Sequence, residues 1–180
     1  KLLKYTDFNS TVSDKMAQFM TGKYGHDFFS MPNAPPLEKK ILSIKLPNQK
    51  TDIVKFLYIG HYSDYRDLEV LIENWVDAPE KSHLYLRGPL SSNKRKFMDL
   101  AKDKKLLNKR IFFIDSVNYE DLISEGMKGF HVGIIPYPPN CINYKYACPN
   151  KLGQLMAAGL PILTNNMVNT SYHISKANCG

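Results

Sequence analysis

Five short apolar or aromatic-rich runs recur along the chain at a pitch of about 20 to 30 residues. They begin near Ile53 (IVKFLYIG), His83 (HLYLRG), Ile111 (IFFI), His131 (HVGIIPY) and Pro161 (PILT), and helix-like stretches at 66–75, 93–107, 120–127 and 150–158 separate them. Short strands alternating with helices at this pitch are the sequence form of right-handed βαβ crossovers, because a parallel neighbour is reached only through a connection of a dozen or more residues. The expected fold is α/β, a Rossmann-like parallel sheet with helices on both faces and strands apolar on both sides rather than alternating. In such an open sheet ligands bind outside the carboxyl ends of the strands, where strand order reverses.

Composition agrees with a packed domain. Of 180 residues, 43% are hydrophobic and 23% charged, which excludes disorder, collagen-like repeats and a disulfide-dense mini-protein. A chain of this length buries roughly 70% of the surface it exposes unfolded, so one substantial core is expected. No apolar run approaches the ~20 residues of a membrane helix, and a soluble protein is expected. Cys141, Cys148 and Cys179 lie at no metal-site spacing and no secretory signal precedes them, so they read as reduced thiols in a cytoplasm. The net charge of +7 allows an anionic partner without identifying one, since the lysines are scattered. No aromatic-and-basic stripe of the kind that binds nucleic acid is visible, and none is expected to bind.

Upstream of the five runs, residues 10–25 read as a helix. Val12, Met16, Phe19 and Met20 recur at helical spacing, with Ser10 placed to cap and Gly22 or Gly25 to end it. Residues 28–31 read as a short strand. From 32 to 50, four prolines, Asn33, Asn48 and a charged cluster at 38–40 mark a connection between packed units.

The strand ends hold the residues suited to chemistry. The segment PNKLGQLMAAGLPIL at 149–163 places Pro149 as a stop, Asn150 as a cap, and Leu152, Leu155, Met156 and Gly159 in helical rhythm. A helix starting at a strand-end crevice offers free N–H groups and the positive end of its dipole, which with Lys151 suit a phosphate. The alternative is a capped helix packed on the sheet with no ligand. Gly60 permits close backbone approach, and Arg66 and Arg87 can reach oxygen anions bidentately, although each alone is equally a solvated surface arginine. Tyr137, Tyr144 and Tyr146 read either as a stacking platform for a sugar or base or as loop tyrosines over the core. The dinucleotide fingerprint, a Walker loop, HExxH and GxSxG are all absent, and the five histidines sit at no ligand spacing. Only Asp115 stands out as a strand-end carboxylate, which argues against paired-carboxylate hydrolysis.

The order of these blocks resembles a known family. FLYIGHYSDYRDLEVLI resembles the first strand, glycine loop and helix of the carboxyl-terminal domain of retaining GT-B glycosyltransferases, of the family 4-like, group 1 type. HLYLRG resembles the second strand, RIFFIDSVNYEDLISEG the segment after it, and HVGIIPY with PNKLGQLMAAGLPIL the family's stretch ending in a conserved-type "maaGlPvv" pattern. The resemblance covers residues 53–180, and PNKL with MAAGLP is its most specific part. STVSDKMAQFMTGKYG and SMPNAPP resemble the last helix and strand of the amino-terminal domain and the crossing between domains. Three parts are thereby implied: 1–35 as the tail of the acceptor domain, 36–50 as an interdomain linker, and 51–180 as the nucleotide-sugar-binding domain, cut before its last strand. On this reading the chain is an excised piece of a longer enzyme.

The resemblance implies transfer of a sugar, with retention, from a UDP or GDP sugar to a glycan or lipid-linked acceptor, in polysaccharide, lipopolysaccharide or capsule synthesis. The acceptor would be held by the missing amino-terminal domain, in a cytoplasmic parent with room for peripheral association at the inner face of the membrane. Gly60, His61, Arg66, Asn150 and Lys151 fall at diphosphate-binding positions. Gln154 takes the place of a glutamate that hydrogen-bonds the ribose, while Asp115, Ser116 and Val117 lie where backbone groups contact the base. Arg87, Tyr137 and Tyr146 fall at the crevice near the donor sugar. No residue of the fragment is implied as catalytic, and neither a cofactor nor a metal is, since cations and a helix terminus take the metal's place. Gln154 lacks the charge-assisted bond of a carboxylate, a neutral His61 offsets less phosphate charge than the family arginine, and Tyr146 stands near the glutamate that holds the donor sugar. These departures keep a second expectation open, a non-catalytic nucleotide-binding or assembly module. The fragment alone is expected to bind nucleotide without turnover.

Overall fold

The computed structural model describes residues 2–35 and 52–180. The linker expected at 36–50 lies outside the described residues.

The first part is a small parallel unit. Strand β1 (Ser10–Thr11) pairs with β2 (Phe29–Ser30), and helix α1 (Asp14–Tyr24) connects them. The cap of α1 is Ser13, whose hydroxyl accepts the Met16 amide at 3.1 Å, and Gly25 ends the helix in the left-handed region at φ 67°. Ser10, expected as the cap, is instead committed to the strand, because its pairing with Phe29 holds the backbone extended. This unit rests on the remainder of the chain: Ser13 Oγ donates to the Tyr146 carbonyl at 2.7 Å, and the Phe19 ring stacks on Tyr146 at 5.0 Å.

The second part is the expected sheet. Its strands are β3 (Val54–Ile59), β4 (Ser82–Gly88), β5 (Ile111–Asp115), β6 (Val132–Ile135) and β7 (Ile162–Thr164), all parallel, in the spatial order β5-β4-β3-β6-β7. Order reverses between β3 and β6. Helices α2 (Leu68–Asn74) and α3 (Ser92–Asp103) cover one face, burying Leu68, Ile72 and Phe97 against Leu84, Leu86 and Ile134. The other face is covered by the turn Leu122–Gly126, helix α5 (Asn150–Ala157) and helix α6 (Val168–Ala177), which bring Ile123, Leu152, Leu155 and Ile174 onto Leu57, Ile59 and Ile135.

Several local features depart from the sequence reading. Strand β4 alternates, with Ser82, Leu84, Leu86 and Gly88 buried and His83, Tyr85 and Arg87 half-buried. Its second face is covered mainly by aromatic side chains, Tyr85 stacking on Phe112 at 4.7 Å and meeting Phe130 edge-on at 5.3 Å, so that face stays partly wet. The helix expected at 120–127 is a short 3-10 turn, Tyr119–Asp121, followed by a wider π turn, Leu122–Gly126. Helix α6 and the short α4 (Ile142–Tyr146) were not among the expected elements.

Glycine decides how close α5 comes to the sheet. A Cβ at Gly133 of β6 would collide with the Leu155 side chain. Gly133→Ala is therefore expected to cost about 1–3 kcal/mol through overpacking, read as a lower denaturant midpoint at unchanged slope. Gly22 in α1 has nothing within 4 Å of its Cβ position, and Gly22→Ala is expected to stabilise by about 0.4–1 kcal/mol. Equal effects of the two substitutions would refute this packing account.

Candidate functional site

A cavity of about 540 Å³ opens at the reversal between β3 and β6, a volume suited to a small-molecule ligand. Strand β3 runs into Gly60, whose φ of 138° favours glycine, and a Cβ there would lie 3.0 Å from Lys151 Nζ. Strand β6 runs into Pro136 and Tyr137. Pro149, in extended backbone, is the cap residue of α5, so Asn150 is the first helical residue rather than the cap expected of it. The Leu152 amide donates to the Pro149 carbonyl at 2.8 Å, whereas the amides of Asn150 and Lys151 precede the first helical bonds, and both of those residues line the same cavity.

The five positions matched to a diphosphate, Gly60, His61, Arg66, Asn150 and Lys151, all line this cavity. Gln154, one turn further along α5, lines it too and is buried. At the other end stand Ser116, Val117 and Arg87. Arg87 is anchored by a 2.7 Å bond from Nη1 to the Asp115 carbonyl, and burial lowers its pKa while Tyr62 and Asp115 oppose that shift. The Asp115 carboxylate faces away and pairs with Lys94 at 3.1 Å. Tyr146 is also turned out of the cavity wall, because its ring is taken up by Phe19.

Electrostatically the cavity is unusual in how its cations are held. Lys151 is buried, with Nζ 4.2 Å from the Tyr58 ring centre and 4.9 Å from that of Tyr137. The guanidinium of Arg66 lies 4.2 Å from the Tyr137 ring and 5.7 Å from Tyr144. Among the described residues no carboxylate pairs with either cation. Asp64, close to Arg66 in sequence, is bonded to Lys96 at 2.8 Å. Burial pushes the pKa of Lys151 well below its ordinary value, and the Arg66 charge pushes the same way. Burial raises the Tyr58 phenol to about 12 even though Arg66 opposes this, so it stays protonated and donates to the His61 carbonyl at 2.8 Å.

Sequence reasoning missed Tyr58 altogether, saw Tyr144 only as a stacking surface or loop tyrosine, and placed Tyr137 at the crevice without its cations. The spacing of aromatic and basic residues within each loop carries no sign that they interleave across loops. A smaller recess of about 280 Å³ lies beyond Gln154, bounded by Asn33, Pro35, Tyr119 and Asn150, so the segment after β2 borders the site. No cluster of three or more metal-ligating side chains occurs among the described residues. None of their helices is long and apolar enough to cross a membrane.

No family model and no curated protein sequence matches the chain. Several solved structures match its fold. HepE of Anabaena, in complex with UDP and glucose, is 10% identical with a TM-score of 0.71, over 95% of this chain and 47% of that one. The lipopolysaccharide outer core galactosyltransferase WaaB is 14% identical with a TM-score of 0.66, over 89% of this chain and 43% of its own. A mutant of S. aureus TarM, in complex with fondaparinux, α-GlcNAc-glycerol and UDP, is 12% identical with a TM-score of 0.66, over 93% of this chain and 31% of that one. The chain thus spans between about a third and about half the length of these proteins. It has the parallel α/β, Rossmann-like fold found in GT-B glycosyltransferases.

Proposed function

We propose that the chain is the donor-binding part of a glycosyltransferase and that its cavity takes the diphosphate of a nucleoside diphosphate sugar. One observation carries this reading: two cations, Arg66 and Lys151, meet the amino terminus of α5 at the strand-order reversal, and among the described residues no carboxylate is paired to either. A site so undercompensated calls for a compact polyanion. The presence of UDP in the HepE and TarM structures, which share the fold, supports a nucleotide of this class.

The chemistry assigned to these residues is stabilisation of a leaving group. As the glycosidic bond to the donor breaks, negative charge builds on the β-phosphate. Donors already oriented there lower the barrier more than they tighten the ground state. Arg66, Lys151 and the first amides of α5 supply that charge complement, with Gly60 keeping the backbone low enough for the phosphates to approach. Gln154 is assigned to the ribose hydroxyls, and the backbone of Asp115, Ser116 and Val117 to the base. Residues 1–35 are read as the tail of an acceptor domain that binds a glycan or lipid-linked acceptor, and transfer with retention as the reaction of the longer enzyme. The fragment alone is expected to bind nucleotide without turnover. A second reading, a binding module without catalysis, is favoured by one observation: Tyr146 is stacked on Phe19, outside the cavity. Sugar transfer by the longer protein across a panel of acceptors separates the two.

Two outcomes test the anion site. Arg66→Ala should weaken UDP about tenfold or more, roughly 1.4–3 kcal/mol as expected for a lost charge-assisted bond, while uridine affinity changes by less than about twofold. Equal losses for both ligands in calorimetric titrations would remove Arg66 from the phosphate role.

The second concerns protons. Because the folded pKa of Lys151 is depressed, the unfolded chain holds more protons between that lowered value and the ordinary 10.5, and stability contributed by this group rises with pH across the window. A bound diphosphate favours the ammonium form and raises the pKa again. Above the lowered value, UDP binding should therefore take up a proton, and affinity should fall as pH climbs through the window. Calorimetry in buffers of different ionisation enthalpy reads the uptake directly, and Lys151→Met should abolish it.

A further inference from the structure

Five side chains from separate elements alternate ring and cation: Tyr58 on β3, Lys151 on α5, Tyr137 after β6, Arg66 before α2 and Tyr144 on α4. Tyr137 stands at the middle, 4% exposed, with Lys151 Nζ 4.9 Å and the Arg66 guanidinium 4.2 Å from its ring centre. Tyr144 closes the outer end, 5.7 Å from Arg66 and 5.3 Å from Tyr137 between ring centres.

We propose that Tyr137 and Tyr144 are positioning residues that hold Arg66 and Lys151, paired with no acid among the described residues, at a fixed spacing ready for a diphosphate. This rests on the nucleotide reading above. A carboxylate partner would fix a cation equally well, but it would cancel the charge and have to be displaced by the incoming phosphate. A ring face attracts the cation through its quadrupole and competes with the phosphate for none of its N–H donors. The guanidinium is suited to such a stack because it is planar and weakly hydrated, and its edge stays free for bidentate bonds while its face is covered. Holding the two cations together in the absence of ligand also sets their repulsion against the rings, and the arriving anion relieves that repulsion. The phenolic hydroxyls of Tyr137 and Tyr144 have no part in this. Only the rings matter.

The test compares phenylalanine with leucine at both positions in the 180-residue chain, with UDP, inorganic pyrophosphate and uridine as probes in calorimetric titrations. Tyr137→Leu and Tyr144→Leu should each lose about five- to tenfold in affinity for UDP and pyrophosphate, the scale of a lost cation–π contact. Uridine binding should stay within about twofold of the parent. Tyr137→Phe and Tyr144→Phe should match the parent for all three probes. Tyr144 is only half-buried, so its leucine variant keeps the test decisive should Tyr137→Leu fail to fold. The proposal is overturned if the phenylalanine variants lose as much as the leucine ones, if uridine falls in step with UDP, or if the leucine variants bind like the parent. A parent chain that binds neither UDP nor pyrophosphate overturns the nucleotide reading and this inference with it. Parent binding with indifferent leucine variants overturns the inference alone.

Discussion

Gly133 on β6 removes the one side chain that would keep Leu155, and with it helix α5, at ordinary distance from the sheet. The close seat that results sets the height of the first turn of α5 above the strand ends. Lys151 then reaches past Tyr137 to the position that the missing Cβ of Gly60 leaves open. A bulkier residue at either glycine would lift the helix or expel the ammonium group. The cavity, its cations and the recess beyond Gln154 all follow from that contact between helix and strand.

The second consequence is electrostatic. A buried lysine without an acid is costly, and the cost appears as its depressed pKa. Neighbouring rings offset part of that cost while leaving the site net positive. The acids nearby are engaged elsewhere: Asp64 and Glu69 both hold Lys96, and Asp115 holds Lys94. None of these three acidic side chains lines the cavity. Arg87 marks the other limit of the positive region, tied by one nitrogen to the Asp115 carbonyl.

How much of this is legible in the chain depends on the range of the interaction. Strand and helix alternation from residue 53 onward is visible because the apolar runs are short, polar or turn-forming residues flank them, and each crossover has the necessary length. The start of α5 is visible because Pro149 must end whatever precedes it. Ser13 and Ser10 are equivalent as caps on local grounds, and only the pairing of Ser10 with Phe29 separates them. Helix α6, VNTSYHISKA, has β-branched and polar residues where a helix signal would be apolar, and it forms because Ile174 is buried against the sheet. Helix α4 has five residues, too few to show a period. Tyr58 lies inside an apolar strand, and nothing along the chain says that its ring meets a lysine from a distant helix. The side-chain surroundings of Asp115 and Tyr146 are hidden along the chain for the same reason, since Lys94 and Phe19 reach them from other elements.

The central strand β3 pairs on one side with β4, close in sequence, and on the other with β6, far along the chain. Lys55 and His131, 76 residues apart, mark that second seam with a 2.9 Å bond from amide to Nδ1. Loop closure over such a span is slow compared with the formation of local turns. The crevice lies on this seam, so it comes into being only when the most distant strands zip together. A partly assembled chain with β3, β4 and β5 in register has half a wall and no ligand pocket. The cavity is thus complete only once β6 has joined β3, and its presence reports that the seam is closed.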